Sequence, residues 1–256
     1  MLNIREKDEY LLEHSVAVSI YITLFSRYLG LERSTIEQLS IGAFLHDIGK
    51  IKIPDEILNK PGKLTDDEFT IMKTHANHSI AIIKETPSVS ALSLDVAALH
   101  HEKLNGCGYP FQVKAEGISL YGRMIAICDI FDALTATRVY KEGFAHVKAF
   151  TILRELAKQG QLDNELVDHF IKCVGVFPVG SLVQLKSNKL ALVQVRNDKD
   201  PTNPQVHSFY SVELNQFLNK QEIDLSGSED SIVKSVRAEE FDLDMKKIVD
   251  MLLMEG

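Results

Sequence analysis

The stretch "STIEQLSIGAFLHDIGK", residues 34–50, decides how the chain begins to fold. Ser34, with Glu37 three residues later, matches a capping box, which predicts that a helix starts here. The apolar residues before His46 predict that this helix ends against a core. A histidine and an aspartate placed together in a core are costly unless they are paired or ligated. His46 and Asp47 are therefore candidates for a metal site.

The same helical pattern recurs up to about residue 175. Thr65 and Glu68 form a second capping box, and Gly30 suits the end of the first helix. The further helices are predicted in "DEYLLEHSVAVSIYITLFSRYLG" (8–30), "TDDEFTIMKTHANHSIAIIKE" (65–85), "SVSALSLDVAALHHE" (88–102), "ISLYGRMIAICDIFDALTAT" (118–137), "AHVKAFTILRELAKQG" (145–160) and "DNELVDHFIKCVG" (163–175).

The pattern changes near Pro178. The stretch "GSLVQLKSNKLALVQVRND" predicts two short strands around a Ser-Asn turn, and "QVHSFYSVEL" predicts a third. The remaining tail is acidic and polar, with one amphipathic segment, "DMKKIVDMLLM". We predict a mainly α protein: a helical bundle over residues 1–177 and a small β-containing extension over residues 178–256.

Composition excludes several classes of protein. The net charge of -8 argues against nonspecific binding to nucleic acid or to anionic membranes. The charged N-terminus lacks the apolar segment of a signal peptide, and no apolar run approaches the roughly 20 residues that span a bilayer. Cys107, Cys128 and Cys173 fit neither a disulfide framework nor a zinc motif. These features predict a protein of the reducing cytoplasm.

The chain's histidines are concentrated near its start. Six of the nine fall in the first 101 residues: His14, His46, His75, His78, His100 and His101. In "HHEKLNGCGYP" (100–110), adjacent imidazoles stand next to a glycine-rich loop, where both can turn toward one ion at a helix end. Asp129 is flanked by apolar residues, so its carboxylate needs a cation or several donors. Imidazole and carboxylate without thiolate suit iron, manganese, cobalt, nickel or catalytic zinc.

These motifs resemble a known family. "HDIGK", "HHEKLNGCGYP" and "DIFDALTATRVYK" are similar to the HD-GYP domain, a branch of the HD phosphohydrolases, and "KIPDEILNKPGKLTDDEFTIMKTH" is similar to that branch's connecting segment. The resemblance covers about residues 8 to 185. It implies an HD-type helical domain with two or three metal ions, often iron or manganese. The implied activity is hydrolysis of cyclic di-GMP to linear pGpG and often to GMP.

The resemblance also implies a role for individual residues. Lys50 would meet a phosphate or assist the leaving oxygen, Arg138 and Lys141 would hold the phosphates, and Tyr109 would line the substrate pocket. Asp47 would bridge two ions. The implied metal ligands are His14, His46, Asp47, His75, His100, His101 and Asp129.

Three positions depart from the family pattern. Asn105 stands where aspartate is more common, and "ANHS" follows His75 where the family often has a proline and then a glycine. Tyr10 stands where three-metal members carry a glutamate, which favours two ions. The resemblance implies that these two ions are iron or manganese. For Glu102 two roles are open: it orients an imidazole, or it forms an ordinary salt bridge at a helix end.

Two other functions fit the sequence. One is a catalytically weak HD-GYP module that binds or signals without turnover, although every expected ligand is present. The other is an HD hydrolase of a different nucleotide, such as 3',3'-cyclic GMP-AMP, because nothing in the sequence selects guanine over adenine. The family resemblance further implies a regulatory domain or signalling partners, and leaves the oligomeric state open.

Overall fold

The computed structural model describes residues 9–136, 143–175, 177–197, 200 and 202–253. The helices run α1 Glu9–Tyr28, α2 Arg33–Leu45, α3 Asp55–Leu58, α4 Asp66–Glu85, α5 Ala91–Leu99, α6 Leu120–Thr135, α7 His146–Lys158, α8 Asn164–Val174 and α9 Met245–Leu253. The strands run β1 Leu182–Leu185, β2 Lys189–Val195, β3 Gln205–Ser211, β4 Gln216–Asp224 and β5 Ile232–Ser235. The prediction of a mainly α protein with a C-terminal β region is confirmed.

The ends of two helices follow the sequence signals. The Thr65 hydroxyl accepts a hydrogen bond from the Glu68 N–H at the start of α4, and the Glu68 carboxylate accepts one from the Thr65 N–H. This is the predicted capping box. Gly30 has a φ of 74° just after α1, a conformation that glycine adopts without steric cost.

The capping box predicted for α2 is wrong. The helix begins at Arg33, with Glu32 at the N-cap and no side-chain cap. Ser34 is therefore already inside the helix. The Glu37 carboxylate accepts a hydrogen bond from the Arg33 Nε at 2.9 Å instead, so an exposed ion pair uses the group that the box would need.

The helices of the first unit pack around a shared core. α1 packs against α2 and α6, and α5 packs against α2, α4 and α6. Gly42 lets α2 and α5 approach closely, because a Cβ there would lie 2.6 Å from the Ser93 carbonyl oxygen. Phe25, Phe131 and Phe170 are fully buried and form edge-to-face ring pairs. This packing brings the ends of α2 and α5 and the inner sides of α1, α4 and α6 to one place.

The C-terminal region is a five-stranded antiparallel sheet in the order β4-β3-β2-β1-β5. The predicted β1–β2 hairpin is confirmed, with Asn188 at a φ of 59° in its turn. The third strand is shorter than predicted and ends at Ser211. The sequence prediction missed β4 and β5, because most of their side chains are exposed and neither strand shows an apolar alternation. The amphipathic segment forms α9, as expected.

Both faces of this sheet carry buried apolar side chains. One cluster consists of Leu182, Leu190, Leu192, Phe209, Tyr210, Val236, Ala238 and Ile248. The other consists of Phe177, Val183, Leu185, Ala191, Val193, Val206 and Leu225. The sheet therefore has a core of its own.

The chain divides into two compact units between Cys173 and Val174. We propose that they are separate domains, as the sequence predicts for residues 1–177 and 178–256. Among the described residues, no helix is both long and apolar enough to cross a membrane. The compartment stays a prediction.

Candidate metal centre

The seven predicted ligands converge in the helical unit. α1 carries His14, α4 carries His75 and α6 carries Asp129. His46 and His100 are the C-cap residues that follow α2 and α5. Their ligand atoms form two groups, each within 4.8 Å, which we name the first and second pockets. The first pocket consists of His14, His46 and Asp129; the second consists of Asp47, His75, His100 and His101. All seven are buried except His101, which is partly exposed.

Asp47 lies between the two pockets and presents one oxygen to each. Its Oδ2 lies 3.5 Å from His14 Nε2 and 3.3 Å from His46 Nε2. Its Oδ1 lies 3.2 Å from His75 Nε2 and 3.8 Å from His100 Nε2. A carboxylate with this placement can contribute an oxygen to each of two cations.

Three of the imidazoles are oriented in the same way. The Nδ1 atoms of His46, His75 and His100 each lie within hydrogen-bond distance of the carbonyl oxygen three residues earlier, at 2.5, 2.7 and 2.6 Å. An Nδ1–H that donates to a carbonyl fixes the tautomer and leaves Nε2 as a lone-pair donor. The helix backbone thus aims these three rings at Asp47. Every residue has a backbone carbonyl, so the sequence could not show which carbonyls orient these rings.

His14 is oriented by a different kind of partner. Its Nδ1 lies 2.6 Å from Asp132 Oδ2, and its Nε2 lies 3.1 Å from Asp129 Oδ1. Sequence reasoning missed Asp132, although it stands one helical turn after Asp129 and inside the quoted motif. A carboxylate behind a ligand imidazole is a common device for raising its basicity.

Several buried polar atoms of the centre have no hydrogen-bond partner, and they indicate whether the centre suits a cation. Among the described residues, the buried side-chain atoms without a hydrogen-bond partner include His46 Nε2, His75 Nε2, His100 Nε2 and Asp47 Oδ1. All four belong to the predicted ligands and point into the pockets. Buried polar groups are normally satisfied, so four orphaned lone-pair donors in one place fit divalent cations.

The protonation of the centre differs from one ligand to the next. Burial lowers the pKa of His14, but hydrogen bonds to Asp129 and Asp132 outweigh it and raise the pKa to about 9. Burial lowers the pKa of His101 to about 3, and burial together with neighbouring imidazoles lowers that of His100. Burial alone would raise the pKa of Asp129, yet the His14 hydrogen bond and nearby imidazoles hold it below the usual range.

Lys50 reaches the centre from the short 3-10 helix that follows Asp47. Its Nζ lies 2.6 Å from Asp47 Oδ2, and its side chain is 21% exposed. The turn packs tightly on α4, since a Cβ at Gly49 would lie 2.1 Å from the His75 carbonyl oxygen. The Gly49 N–H donates to the Ser79 hydroxyl at 2.9 Å. Ser79 belongs to the "ANHS" stretch that departs from the family pattern after His75. Its hydroxyl holds the turn that carries Lys50.

Glu102 fills neither of its two predicted roles. Its Oε1 accepts hydrogen bonds from the backbone N–H groups of Phe111 and Gln112, at 2.7 and 3.1 Å. The carboxylate therefore holds the far end of the glycine-rich loop against the end of α5. This places the ring of Tyr109 with its centroid 4.5 Å from that of His101.

Glycines and Asn105 shape the loop. Gly106 has a φ of 79°, and Asn105 Oδ1 accepts a hydrogen bond from the Cys107 N–H at 3.1 Å. Asn105 thus supplies the side-chain acceptor of an Asx turn, as an aspartate would. A Cβ at Gly108 would lie 2.5 Å from the Glu102 Cα, so only glycine fits this close approach.

The predicted phosphate-binding residues Arg138 and Lys141 lie outside the described residues. Their roles stay predictions. His78, for which an additional role near the site and a surface position were both open, is partly exposed and belongs to neither pocket.

Comparison with known proteins identifies the class. A family model described as an HD domain matches residues 3–166. A cyclic di-GMP phosphodiesterase of Pseudomonas aeruginosa is 39% identical over 236 residues, 91% of this chain and 56% of that protein. A 3'3'-cGAMP-specific phosphodiesterase of Vibrio cholerae is 38% identical over 130 residues, 50% of this chain and 25% of that protein. The chain thus spans about half the length of the first relative and a quarter of the second.

A solved structure supports the fold. An HDG"Y"P protein from Bdellovibrio bacteriovorus matches with a TM-score of 0.53 at 20% identity, over 62% of this chain and 51% of that one. HD-type phosphohydrolases are metal-dependent, and the buried histidine and aspartate cluster agrees with that class. The chain belongs to the HD domain family and, within it, to the HD-GYP branch.

Proposed function

We propose that the protein hydrolyses the phosphodiester bonds of cyclic di-GMP, giving linear pGpG and then GMP, with two divalent ions of iron or manganese. The observation that carries the proposal is the placement of Asp47, whose two oxygens face two separate sets of imidazole nitrogens. A single ion would leave one set unused. When bound, two such ions supply charge neutralisation at the phosphate and an acidified water.

The residues of the chain divide the remaining work. His14, His46 and Asp129 would hold one ion, and His75, His100 and His101 the other, with Asp47 shared. Lys50, whose ammonium reaches the edge of the centre beside Asp47, would bind a phosphate oxygen or the leaving oxygen. Cations preorganised at oxygens that gain charge stabilise the transition state.

The substrate side of the centre is formed by the loop and by the predicted basic pair. The Tyr109 ring, held against His101, would cover one side of the bound nucleotide. Arg138 and Lys141 would bind the phosphates, Arg138 through a two-pronged contact and Lys141 as a point charge. A regulatory domain or signalling partner remains part of the proposal, since the relatives are longer than this chain.

A second candidate substrate is 3',3'-cyclic GMP-AMP. The observation that favours it is the 38% identity to a 3'3'-cGAMP-specific phosphodiesterase. The candidate metal centre would serve either substrate, because its ions would act on the phosphates, which the two dinucleotides share. A binding module without turnover fits less well, because all seven predicted ligands are brought together.

The test is metal reconstitution followed by product analysis. The metal-free chain is loaded without oxygen with iron or manganese and given cyclic di-GMP, 3',3'-cyclic GMP-AMP or cyclic di-AMP, with Asp47→Ala as the matched control. We expect cyclic di-GMP to be cleaved fastest, and only by the loaded wild-type chain. Faster cleavage of the mixed dinucleotide would transfer the proposal to the second candidate. Binding without cleavage of any of the three would contradict an enzymatic role.

A further inference from the structure

The exposed side of α1 carries a line of large apolar side chains. It consists of Val16, Ile20, Leu24 and Tyr28, with exposed fractions of 41, 53, 47 and 41%. Residues four apart on a helix are neighbours on one side, so the four form a continuous ridge. We name it the α1 ridge. The opposite side of the same helix supplies core residues and His14. A contiguous exposed apolar surface of this kind marks an interaction site more often than scattered single residues do.

The neighbouring helix extends the apolar surface. The Ser19 and Thr23 hydroxyls of α1 form hydrogen bonds with Ser40 of α2, which shows that the two helices lie side by side. Ile41, the next residue of α2, is 47% exposed. The apolar surface therefore extends from α1 onto α2 at Ile41.

Two exposed charges lie symmetrically about Ile20. Glu13 stands seven residues before Ile20, and Arg27 stands seven residues after it. Seven residues are close to two helical turns, so both charges lie near the line of the ridge. Val16 and Leu24 likewise stand four residues on either side of Ile20. From Glu13 to Arg27 the order is acid, apolar, apolar, apolar, base, with Ile20 at the centre, and Tyr28 follows the base.

We propose that the α1 ridge is the interface of a homodimer in which the α1 helices of two copies pack antiparallel around a twofold axis at Ile20. In this arrangement Val16 meets Leu24 of the second copy, and Glu13 meets Arg27 of the second copy. A closed twofold interface needs a self-complementary surface of this kind. A parallel pairing would place like charges together, so charge complementarity selects the antiparallel one.

A surface groove lies at the positive end of the ridge. It is lined by Arg27, Leu31, Arg33, Ile36 and Glu37. The groove leaves room beside the guanidinium of Arg27 for the carboxylate from the second copy. The second copy of the chain is therefore the occupant that the order of charges favours.

The first experiment is sedimentation of the full metal-loaded chain. We expect the wild type to be a dimer and Ile20→Glu to be a monomer, because two buried glutamates would face each other across the axis. The dimer dissociation constant should rise roughly a hundredfold or more, since juxtaposed like charges are strongly unfavourable. Val147→Glu, at an exposed apolar position of α7, is the matched control and should stay dimeric. A monomeric wild type, or a dimeric Ile20→Glu, would overturn the proposal.

The second experiment tests the antiparallel register. Glu13→Arg and Arg27→Glu should each weaken self-association several-fold, because each places like charges opposite one another. Mixing the two variants should restore a heterodimer, since one copy then carries two positive charges and the other two negative charges. The double variant in one chain should also recover. Weakened homodimers without recovery on mixing would refute this register.

Discussion

The two pockets of the candidate metal centre differ through one histidine of the first pocket: the Nδ1 of His14 faces a carboxylate, whereas that of His46 faces a backbone carbonyl like those of His75 and His100. In the second pocket, the Nδ1 atoms of His75 and His100 contact neutral backbone carbonyls. In the first pocket, the Nδ1 of His14 contacts the Asp132 carboxylate. Without metal, burial lowers the pKa of His100 and His101 in the second pocket, so these two rings are neutral, whereas His14 holds a proton with a pKa of about 9.

This difference gives the two pockets different binding chemistry. A ligand must be deprotonated before it can coordinate a cation, so a cation at the first pocket has to displace the His14 proton. In the second pocket, His100 and His101 are already neutral and can coordinate without losing a proton. We infer that the second pocket fills first and that the first pocket depends more strongly on pH. The carboxylate of Asp47 faces both pockets, so a substitution of Asp47 should affect metal binding at both.

The largest effect is expected from Asp47→Ala. Because one oxygen of Asp47 faces each pocket, the change should empty both pockets and abolish turnover together. Metal content measured after gel filtration, with circular dichroism as the check on folding, tests this. Retention of one ion per chain would show that Asp47 serves a single pocket. Loss of activity with full metal content would instead indicate a role in proton transfer.

Asp132→Asn should affect the first pocket alone. The amide keeps the shape but removes the charge that orients and activates His14, and such outer partners are worth about 10–100-fold in metal affinity. Stepwise manganese titration should show one weakened site and one unchanged site. Asp95→Asn is the matched control, because Asp95 bonds the Ser119 hydroxyl and belongs to neither pocket. Equal weakening of both sites would contradict the division into pockets.

The pH dependence is the next smaller effect. The metal-free folded protein keeps His14 protonated below about pH 9, so affinity at the first pocket should fall about tenfold per pH unit as pH drops from there. The second pocket should lose much less, because the pKa of His101 is about 3 and that of His100 is lowered by burial. Binding titrations at a series of pH values measure both slopes. Equal slopes of metal affinity against pH at the two pockets would contradict a proton on His14 that affects the first pocket alone.

The same pKa affects the stability of the metal-free protein. The folded pKa of His14 is raised above the ordinary value of 6.5 by its two carboxylate partners. Its contribution to the free energy of unfolding is therefore fully present below pH 6.5 and lost as pH rises toward about 9. Metal loading and metal-free stability thus respond to pH in opposite directions.

The ligands of both pockets were predicted from the sequence, but the partner that orients His14 in the first pocket was not. The histidine pair, the HD motif and the helix ends are local patterns, and the structure brings their ligand atoms together as expected. The role of Asp132 depends on a contact with His14 across 118 residues, which no local pattern encodes. Glu102 was likewise misassigned, because its partners are backbone N–H groups nine and ten residues later.

The fold shows the same division between local and nonlocal signals. Helices with caps or clear apolar periodicity were predicted, including α4 with its Thr65 capping box. The predicted box at Ser34 failed because the helix begins at Arg33, so Ser34 lies inside the helix and is not its N-cap. Strands β4 and β5 were missed because their positions depend on hydrogen bonds to β3 and β1, and their exposed side chains leave no pattern to detect.

The smallest effect is expected from Glu102→Gln, which perturbs only the loop beside the second pocket. The amide oxygen can still accept from the N–H groups of Phe111 and Gln112, but the charge that strengthens both bonds is lost, at a cost of about 1 kcal/mol. The loop should then hold Tyr109 less firmly against His101. We expect about a fivefold rise in KM with metal content unchanged at both pockets.

The matched control for this change is Glu116→Gln, which removes an exposed carboxylate from the short helix that ends the same loop. It should leave both KM and metal content at wild-type values. Glu102→Ala should raise KM further, because both N–H groups then lose their acceptor. If Glu102→Gln lowered metal content, the carboxylate would be supporting the second pocket itself. Glu102 would then position both the loop and the ligands of the second pocket. The two pockets would differ in the residues that support their ligands as well as in the protonation of those ligands.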